Sequence, residues 1–292
     1  MMKATLIKGY LFAICSALIY GCMPVMAKEI YGQGVNALTL VLLRNLLALP
    51  VLGGLTFFKE KTVSVPVKAL PSLGIIALFG GCLTPILLFL SYSYIDSGTA
   101  TVFHFVYPAV VVLAGMMLSR QRKTGNIISV LMCAAGIGLF YDPGALIDLR
   151  GCALALLSGV VYAVYVLLLN RFRYPQITGY RFSFYIALIS SIGMLLICIG
   201  SNQLALPTSW EGWVSSTFFA LAITVGAVYL FQQSTFLIGG AKASILCTLE
   251  PIISVVLGAF VFHEPIGFRV GIGSLLVIFA SLLIALADIR KR

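Results

Sequence analysis

Residues 97–140 read SGTATVFHFVYPAVVVLAGMMLSRQRKTGNIISVLMCAAGIGLF, and residues 240–283 read GAKASILCTLEPIISVVLGAFVFHEPIGFRVGIGSLLVIFASLL. Each stretch opens on small residues and runs through an apolar segment broken by one proline. Each then crosses a short polar link and ends in a Gly-rich apolar run. Pro108 and Pro251 fall at equivalent places. A repeat written in long apolar sequence predicts a membrane protein assembled from two related halves, an organisation typical of transporters.

Composition points the same way. The 292 residues are 61% hydrophobic and only 10% charged, with a mean hydropathy of +1.08. Soluble domains carry about 25% charged residues. A hydrocarbon core about 30 Å thick takes roughly 20 apolar residues per helix, so the chain has room for about ten crossings and no sizeable soluble domain. Apolar periodicity places them at residues 6–27, 38–57, 70–90, 100–118, 125–141, 151–169, 180–199, 214–236, 243–262 and 268–287. These runs are apolar all round and longer than the alternating strands of a membrane barrel, which span about 10 residues. The first run resembles a signal peptide but lacks a convincing small-x-small cleavage site, and is read as a retained helix. The expected fold is an all-α polytopic membrane protein. It comprises one five-helix repeat over residues 1–141, a second over 151–287, and a short basic tail at 288–292.

The net charge of +10 does not signal nucleic acid, because the basic residues lie in loops between apolar segments rather than on one folded surface. With ten crossings, one side collects Lys3, Lys8, Lys59, Lys61, Lys68, Arg120, Arg122, Lys123, Arg171, Arg173, Arg181, Lys242, Arg290, Lys291 and Arg292. The other holds Lys28, Arg150 and Arg269. This bias places both termini in the cytoplasm. Five helices per half then make the repeats inverted, with a site expected near the bilayer midplane at their interface. The seven cysteines all lie in apolar runs without a CxxC, which argues against a disulfide framework or a zinc site.

Four stretches resemble the EamA-like branch of the drug/metabolite transporter superfamily: YGCMPVMAKEI, LLRNLLAL with Arg44, SGTATVFHFVYP, and GGAKASILCTLEPIISVVLGAFVFHEP. The likeness covers nearly the whole chain. The first half departs from the family in having Arg120-Gln121 where a glutamate often follows the fourth helix, and the seventh segment has no counterpart of Arg44. The resemblance implies ten helices in two repeats and a central cavity lined by helices 1, 3, 4, 6, 8 and 9. It also implies transport of a small polar metabolite such as an amino acid or a derivative, often outward. Drugs, organic cations and nucleotide-like metabolites are further cargo classes within the branch.

Polar residues in mid-span face the bundle interior or a water-filled cavity. Ser16, Tyr20 and Pro24 share one face of the first segment, and Ser158, Tyr162 and Tyr165 one face of the sixth. The matched offsets of Ser16/Ser158 and Tyr20/Tyr162 make the two faces repeat-related. Facing tyrosines suit an aromatic or amphipathic ligand, or simple packing. His104 and Tyr107 lie one turn apart beside Pro108, and either substrate binding or a helix–helix hydrogen bond accounts for them. Tyr229, Gln232, Gln233 and Phe236 form a stripe on the eighth segment, whose amides bind a substrate or join helices. Glu250 beside Pro251 is costly in lipid unless paired or protonated, and suits a cationic group, proton coupling or a structural role. Arg44 is expected in a structural or gating pair, reaching outward toward Glu29 or Asp96. Pro24, Pro85, Pro108 and Pro251 each remove a backbone donor within a spanning run and are candidate hinges. Small-residue spacing at Ala134/Gly138 and Gly267/Gly271 suits close helix packing and a homodimer.

The expected partners are a small-molecule substrate and the lipid bilayer. No cofactor or metal is expected, and the absence of a Gly-rich GK[ST] loop argues against direct ATP drive. An intramembrane enzyme would need a nucleophile with a base, or metal ligands. The chain offers His104 and His263, with neither HExxH nor GxSxG. A membrane scaffold or chaperone would leave the repeat and the polar stripes unexplained.

Overall fold

The computed structural model describes residues 2–119, 124–139, 148–172, 174–177 and 179–262, with single residues and short runs between 268 and 283. Among the described residues there is no β-strand. Eight helices among these residues are long and apolar enough to cross a membrane. In chain order the helices are α1 (Met2–Gly32), α2 (Ala37–Glu60), α3 (Val67–Ser91), α4 (Ser97–Gly115), the shorter α5 (Thr124–Leu139), α6 (Leu149–Asn170), α7 (Tyr180–Gly200), α8 (Trp210–Ile238) and α9 (Gly240–Val261). The predicted crossing at 268–287 lies largely outside the described residues, and the basic tail 288–292 wholly so. Side chains start several helices. The Asn36 side chain accepts from Thr39 N at 2.9 Å ahead of α2, Asp148 from Arg150 N at 2.8 Å ahead of α6, and Ser209 from Gly212 N at 3.0 Å ahead of α8.

The sequence repeat recurs in the backbone. Helix α3 widens into i→i+5 turns over Ala77–Leu83, and α8 does so over Ala220–Val228. Helix α4 breaks between His104 and Tyr107, and α9 tightens into a 3₁₀ turn over Cys247–Leu249. Each pair starts at the offset that separates Pro108 from Pro251. The wide turn in α3 lies just before Pro85, which has no N–H to give, and the Thr84 hydroxyl donates to Phe79 O at 2.7 Å. Pro108 and Pro251 occupy the first turn of the segments that follow the breaks in α4 and α9. There a missing N–H costs no ladder bond, so these two prolines mark existing breaks rather than interrupting continuous helices. Pro24, by contrast, lies inside an uninterrupted α1.

Packing follows the same symmetry. Helix α1 lies along α8 and α9, its counterpart α6 lies along α3 and α4, and α2 pairs with α7. Glycines allow the closest approaches. A Cβ on Gly159 would stand 2.3 Å from the His104 carbonyl oxygen, and one on Gly80 2.3 Å from the Tyr165 ring. The apolar interior forms two layers. One gathers Leu40, Leu43, Phe89 and Phe219; the other gathers Leu73, Phe105, Val166, Phe182 and Phe231. Tyr20 packs against both. Leu11, Leu18, Ile75, Leu157, Leu196 and Phe218 are exposed on the outside, as expected of a surface solvated by lipid tails.

Candidate functional site

Where the two layers meet, a cavity is lined by Tyr20 and Met23 of α1, Arg44 of α2, Gly80, Thr84, Pro85, Leu88 and Phe89 of α3, His104 of α4, Tyr162 of α6 and Glu250 of α9. Tyr20 and Glu250 lie near the middles of their helices. Arg44 is about 10 Å along α2 from Ala37, and His104 about as far along α4 from Ser97, at the helical rise per residue. The cavity thus extends from mid-bundle toward the end that carries the α1–α2 turn. Glycine at position 80 makes room in the wall, and the wide turn of α3 presents Gly80, Thr84 and Pro85 together.

A cluster of rings forms one side. Tyr162 is its hub, with ring centroids 5.3 Å from His104, 4.7 Å from Tyr107, 5.3 Å from Tyr165 and 5.6 Å from Phe231. His104 Nδ1 lies 2.8 Å from Ser158 Oγ, and that hydroxyl already donates to Ala155 O at 2.6 Å. The serine therefore accepts, Nδ1 carries the proton, and Nε2 remains an acceptor; this tautomer is assigned from the bonding pattern. The repeat-related Ser16 ties α1 to α8 by donating to Ala227 O at 2.8 Å. Tyr107 OH donates to Ser244 O at 3.4 Å.

The structure brings Tyr20, His104, Tyr162 and Glu250 to the cavity, with Tyr107 and Tyr165 behind them in the ring cluster. It places Arg44 otherwise than expected and shows the neighbours of two further candidates. Arg44 does not reach outward to Glu29 or Asp96. It is 5% exposed, lines the cavity, and lies 6.0 Å from the Phe89 ring. Gln232 is fully buried, and its amide is engaged between helices, accepting from Ser183 Oγ at 2.5 Å and donating to Tyr165 OH at 3.1 Å. Tyr229 stacks flat on Tyr180 of α7 at 4.3 Å and is not among the cavity residues. Of the proline candidates, Pro85 is in the cavity wall. The α3 residues Gly80, Leu88 and Phe89 were not anticipated, because an apolar wall leaves no polar stripe in the sequence. Ala134 and Gly138 are exposed on α5, as is Gly271, whereas Gly267 lies outside the described residues. Among the described residues, no three His, Cys, Asp or Glu side chains gather as a metal site would require.

Both ends of the bundle are tied across the halves. At the end of α2, Glu60 accepts from Arg181 N at 3.0 Å and lies 3.4 Å from Arg181 Nε. The Arg181 guanidinium also donates to Ser64 O at 3.0 Å and to Gln176 O. Tyr174 OH donates to Lys68 O at 2.9 Å. Phe172, Phe182 and Phe236 pack together at this end, with centroids 4.9 Å and 5.3 Å apart along the chain of rings. At the opposite end Asn36 Nδ2 donates to Gln203 O at 2.8 Å, and Ser209 Oγ to Gln33 Oε1 at 3.0 Å.

The sequence pattern of the EamA-like transporter family matches residues 7–141 and 149–286, one copy per half. The chain is 26% identical over 293 residues to a Salmonella typhimurium protein named uncharacterized inner membrane transporter YicL, covering 98% of this chain and 97% of that one. It is 24% identical over 283 residues to the Bacillus subtilis uncharacterized transporter YcbK, covering 91% and 88%. It is also 22% identical over 315 residues to a WAT1-related protein of Arabidopsis thaliana, covering 93% and 87%. One solved crystal structure shares the fold with a TM-score of 0.70 and 18% identity, over 97% of this chain and 98% of that chain.

Proposed function

This chain belongs to the EamA-like transporter family, and we propose that it is a secondary exporter of small polar metabolites such as amino acids or their derivatives, working by alternating access around the cavity between its halves. The observation that carries this reading is the cavity itself. It is set at mid-bundle between helices of both halves and is lined by buried polar groups amid aromatic rings, the kind of lining expected of a small-molecule site. Cross-half ties at both bundle ends supply the two gates that alternating access needs, and the helix breaks in α4 and α9 supply places for the backbone to bend. The charge bias of the loops supports cytoplasmic termini and hence inverted halves in the cytoplasmic membrane. On that orientation the Glu60–Arg181 end faces the cytoplasm and the cavity lies toward the outside. The exposed small residues Ala134 and Gly138 favour a homodimer through α5.

Efflux of drugs or organic cations is the second reading, favoured by the ring cluster beside Glu250. Uptake of a nucleotide-like metabolite fits Arg44, the one buried Lys or Arg among the described residues, less well, since a polyanion would also meet Glu250. Counterflow and uptake in proteoliposomes, with amino acids, nucleosides and organic cations as solutes, separate the three. Protein-dependent flux of an amino acid supports the first reading, and protein-free leak rates for every solute refute transport. Comparing Glu250→Gln with the native chain, with and without a pH gradient, tests proton coupling. Native gradient-driven flux in the variant excludes coupling through that carboxyl.

A further inference from the structure

Helix α2 is bonded to both wide turns, and at one place. Asn45 Nδ2 donates to Gly81 O of α3 at 3.3 Å and to Val41 O of its own helix at 2.8 Å. On the preceding residue, Arg44 O accepts from Thr224 Oγ1 of α8 at 2.8 Å. Gly81 and Thr224 are separated by the offset that separates Pro108 from Pro251, so they are the same position in the two repeats. Equivalent points of the two wide turns are therefore held by adjacent residues of a single helix. The second half offers no such pair. At the same offset Arg44 and Asn45 correspond to Ala187 and Leu188 of α7, which carry no side-chain donor. Further bonds between the halves reach the same turns. Ser190 Oγ of α7 donates to Ala77 O at 3.4 Å, Cys82 Sγ to Ser190 O at 3.7 Å, and Ser16 Oγ of α1 to Ala227 O at 2.8 Å. A widened turn holds a surplus residue, and a helix sheds that surplus only by rebonding, so the turn has discrete forms rather than a continuous bend. Helix α2 is itself irregular here. Leu47 and Ala48 stand between its two regular segments, and Pro50, in the first turn of the second, has no N–H to give.

We infer that Asn45, with the carbonyl of Arg44 beside it, links the two wide turns, so that a change of shape in α3 of one half is transmitted to α8 of the other. A shift of the α3 turn moves Gly81 O. The buried Asn45 amide follows it, because no water stands ready to replace the bond. The Arg44 carbonyl moves with Asn45 and carries the buried Thr224 hydroxyl, which meets the same penalty for an unmade bond. Asn45 is not among the cavity residues, whereas the Arg44 side chain is, together with Gly80 and Thr84 of α3. Asn45 is thus a positioning residue, acting on the cavity through the helices around it. Its part in a transport cycle rests on the proposed transport reading; the link itself does not.

The test reads each helix while breaking the bond of the other. Spin labels on Val67→Cys and Ser93→Cys bracket α3, and labels on Glu211→Cys and Leu237→Cys bracket α8, in full-length protein with the native cysteines replaced. Distances are measured by pulsed electron spin resonance in lipid nanodiscs. Asn45→Ala breaks the bond to α3 and leaves the Thr224 bond in place. It is expected to shift or split the α8 distance by on the order of 1.5 Å, one helical rise. Thr224→Val, of like shape without the hydroxyl, should do the same to the α3 distance. Ser191→Ala removes a buried hydroxyl that bonds within α7, to Ala187 O at 2.7 Å, and should alter neither. Thr224→Val carries the test alone if Asn45→Ala does not elute as a single species. The inference is overturned if each variant alters only the helix whose bond it breaks, if no distance changes, or if Ser191→Ala gives the same response. Counterflow in proteoliposomes with amino acids, nucleosides and organic cations separates the link from the transport reading. Linked distances with protein-free leak rates for every solute uphold the inference and overturn the transport reading. Protein-dependent flux with unlinked distances does the opposite.

Discussion

Replacing Glu60 by glutamine should loosen the closed end of the bundle by a calculable amount. Glu60 joins the end of α2 to the start of α7, through a backbone bond of 3.0 Å and an ion pair of 3.4 Å with Arg181. The two side chains are 19% and 12% exposed, so the pair is neither fully screened nor fully desolvated. Glutamine keeps the bond to the Arg181 N–H but loses its charge assistance and the ion pair. Together these are worth about 1–2 kcal/mol. That is roughly a 5- to 30-fold shift in the ratio of closed to open forms at this end. The readout is the labelling rate of Met23→Cys, a cavity position, in a background with the native cysteines replaced. A membrane-impermeant maleimide is added from the Arg181 side. Labelling should accelerate by that factor in Glu60→Gln. It should accelerate more in Arg181→Gln, which also abandons the carbonyls of Ser64 and Gln176. Native labelling rates in both variants would refute the gate.

Gly159→Ala forces a methyl to within 2.3 Å of the His104 carbonyl. Backbone cannot swing aside, so α4 and α6 must separate; a cost of about 1–3 kcal/mol is expected, seen as a lower melting temperature in detergent together with reduced flux. Ser158→Ala strands the buried Nδ1–H of His104 and should cost about 1–3 kcal/mol, whereas Ser158→Thr, which keeps the hydroxyl, should lose less; both are read by thermal melting. Tyr229→Phe should leave flux at the native level, because its ring stacks on Tyr180 away from the cavity, whereas Tyr20→Ala should lower flux without lowering protein yield. Single cysteines beside Arg150 and Arg171 should label from opposite faces of the membrane, and labelling from one common face would overturn the inverted arrangement.

Much of the architecture was legible in the sequence. The matched positions of Pro108 and Pro251 reappear as matched backbone breaks, and Ser16 and Ser158 are both buried at helix–helix contacts, though with different partners. Periodicity assigned Tyr20 and Tyr162 to interior faces because a 3.6-residue repeat reports which side of a helix is polar. It does not report which neighbour that side meets. Arg44 illustrates the gap, since its face was interior but the cavity beyond it is formed by α3, whose contribution is largely apolar. The stripe on α8 divides between neighbours for a related reason. Residues three apart on a helix diverge by about 60°. That was enough to turn Gln232 toward α6 and α7 and to lay Tyr229 on Tyr180.

The wide turns of α3 and α8 each accommodate one residue more than a regular helix would. Excising a single residue from Ala77–Leu83 therefore lets the ladder close into ordinary i→i+4 bonds with the flanking turns still on their faces, where the same deletion in a regular stretch would turn everything beyond the cut by about 100°. What the cut removes is the turn that presents Gly80, Thr84 and Pro85 together to the cavity. Helix α8 carries the same surplus at the repeat-related position, so each half has a place at this level where chain length can change without rotating the rest of its helix.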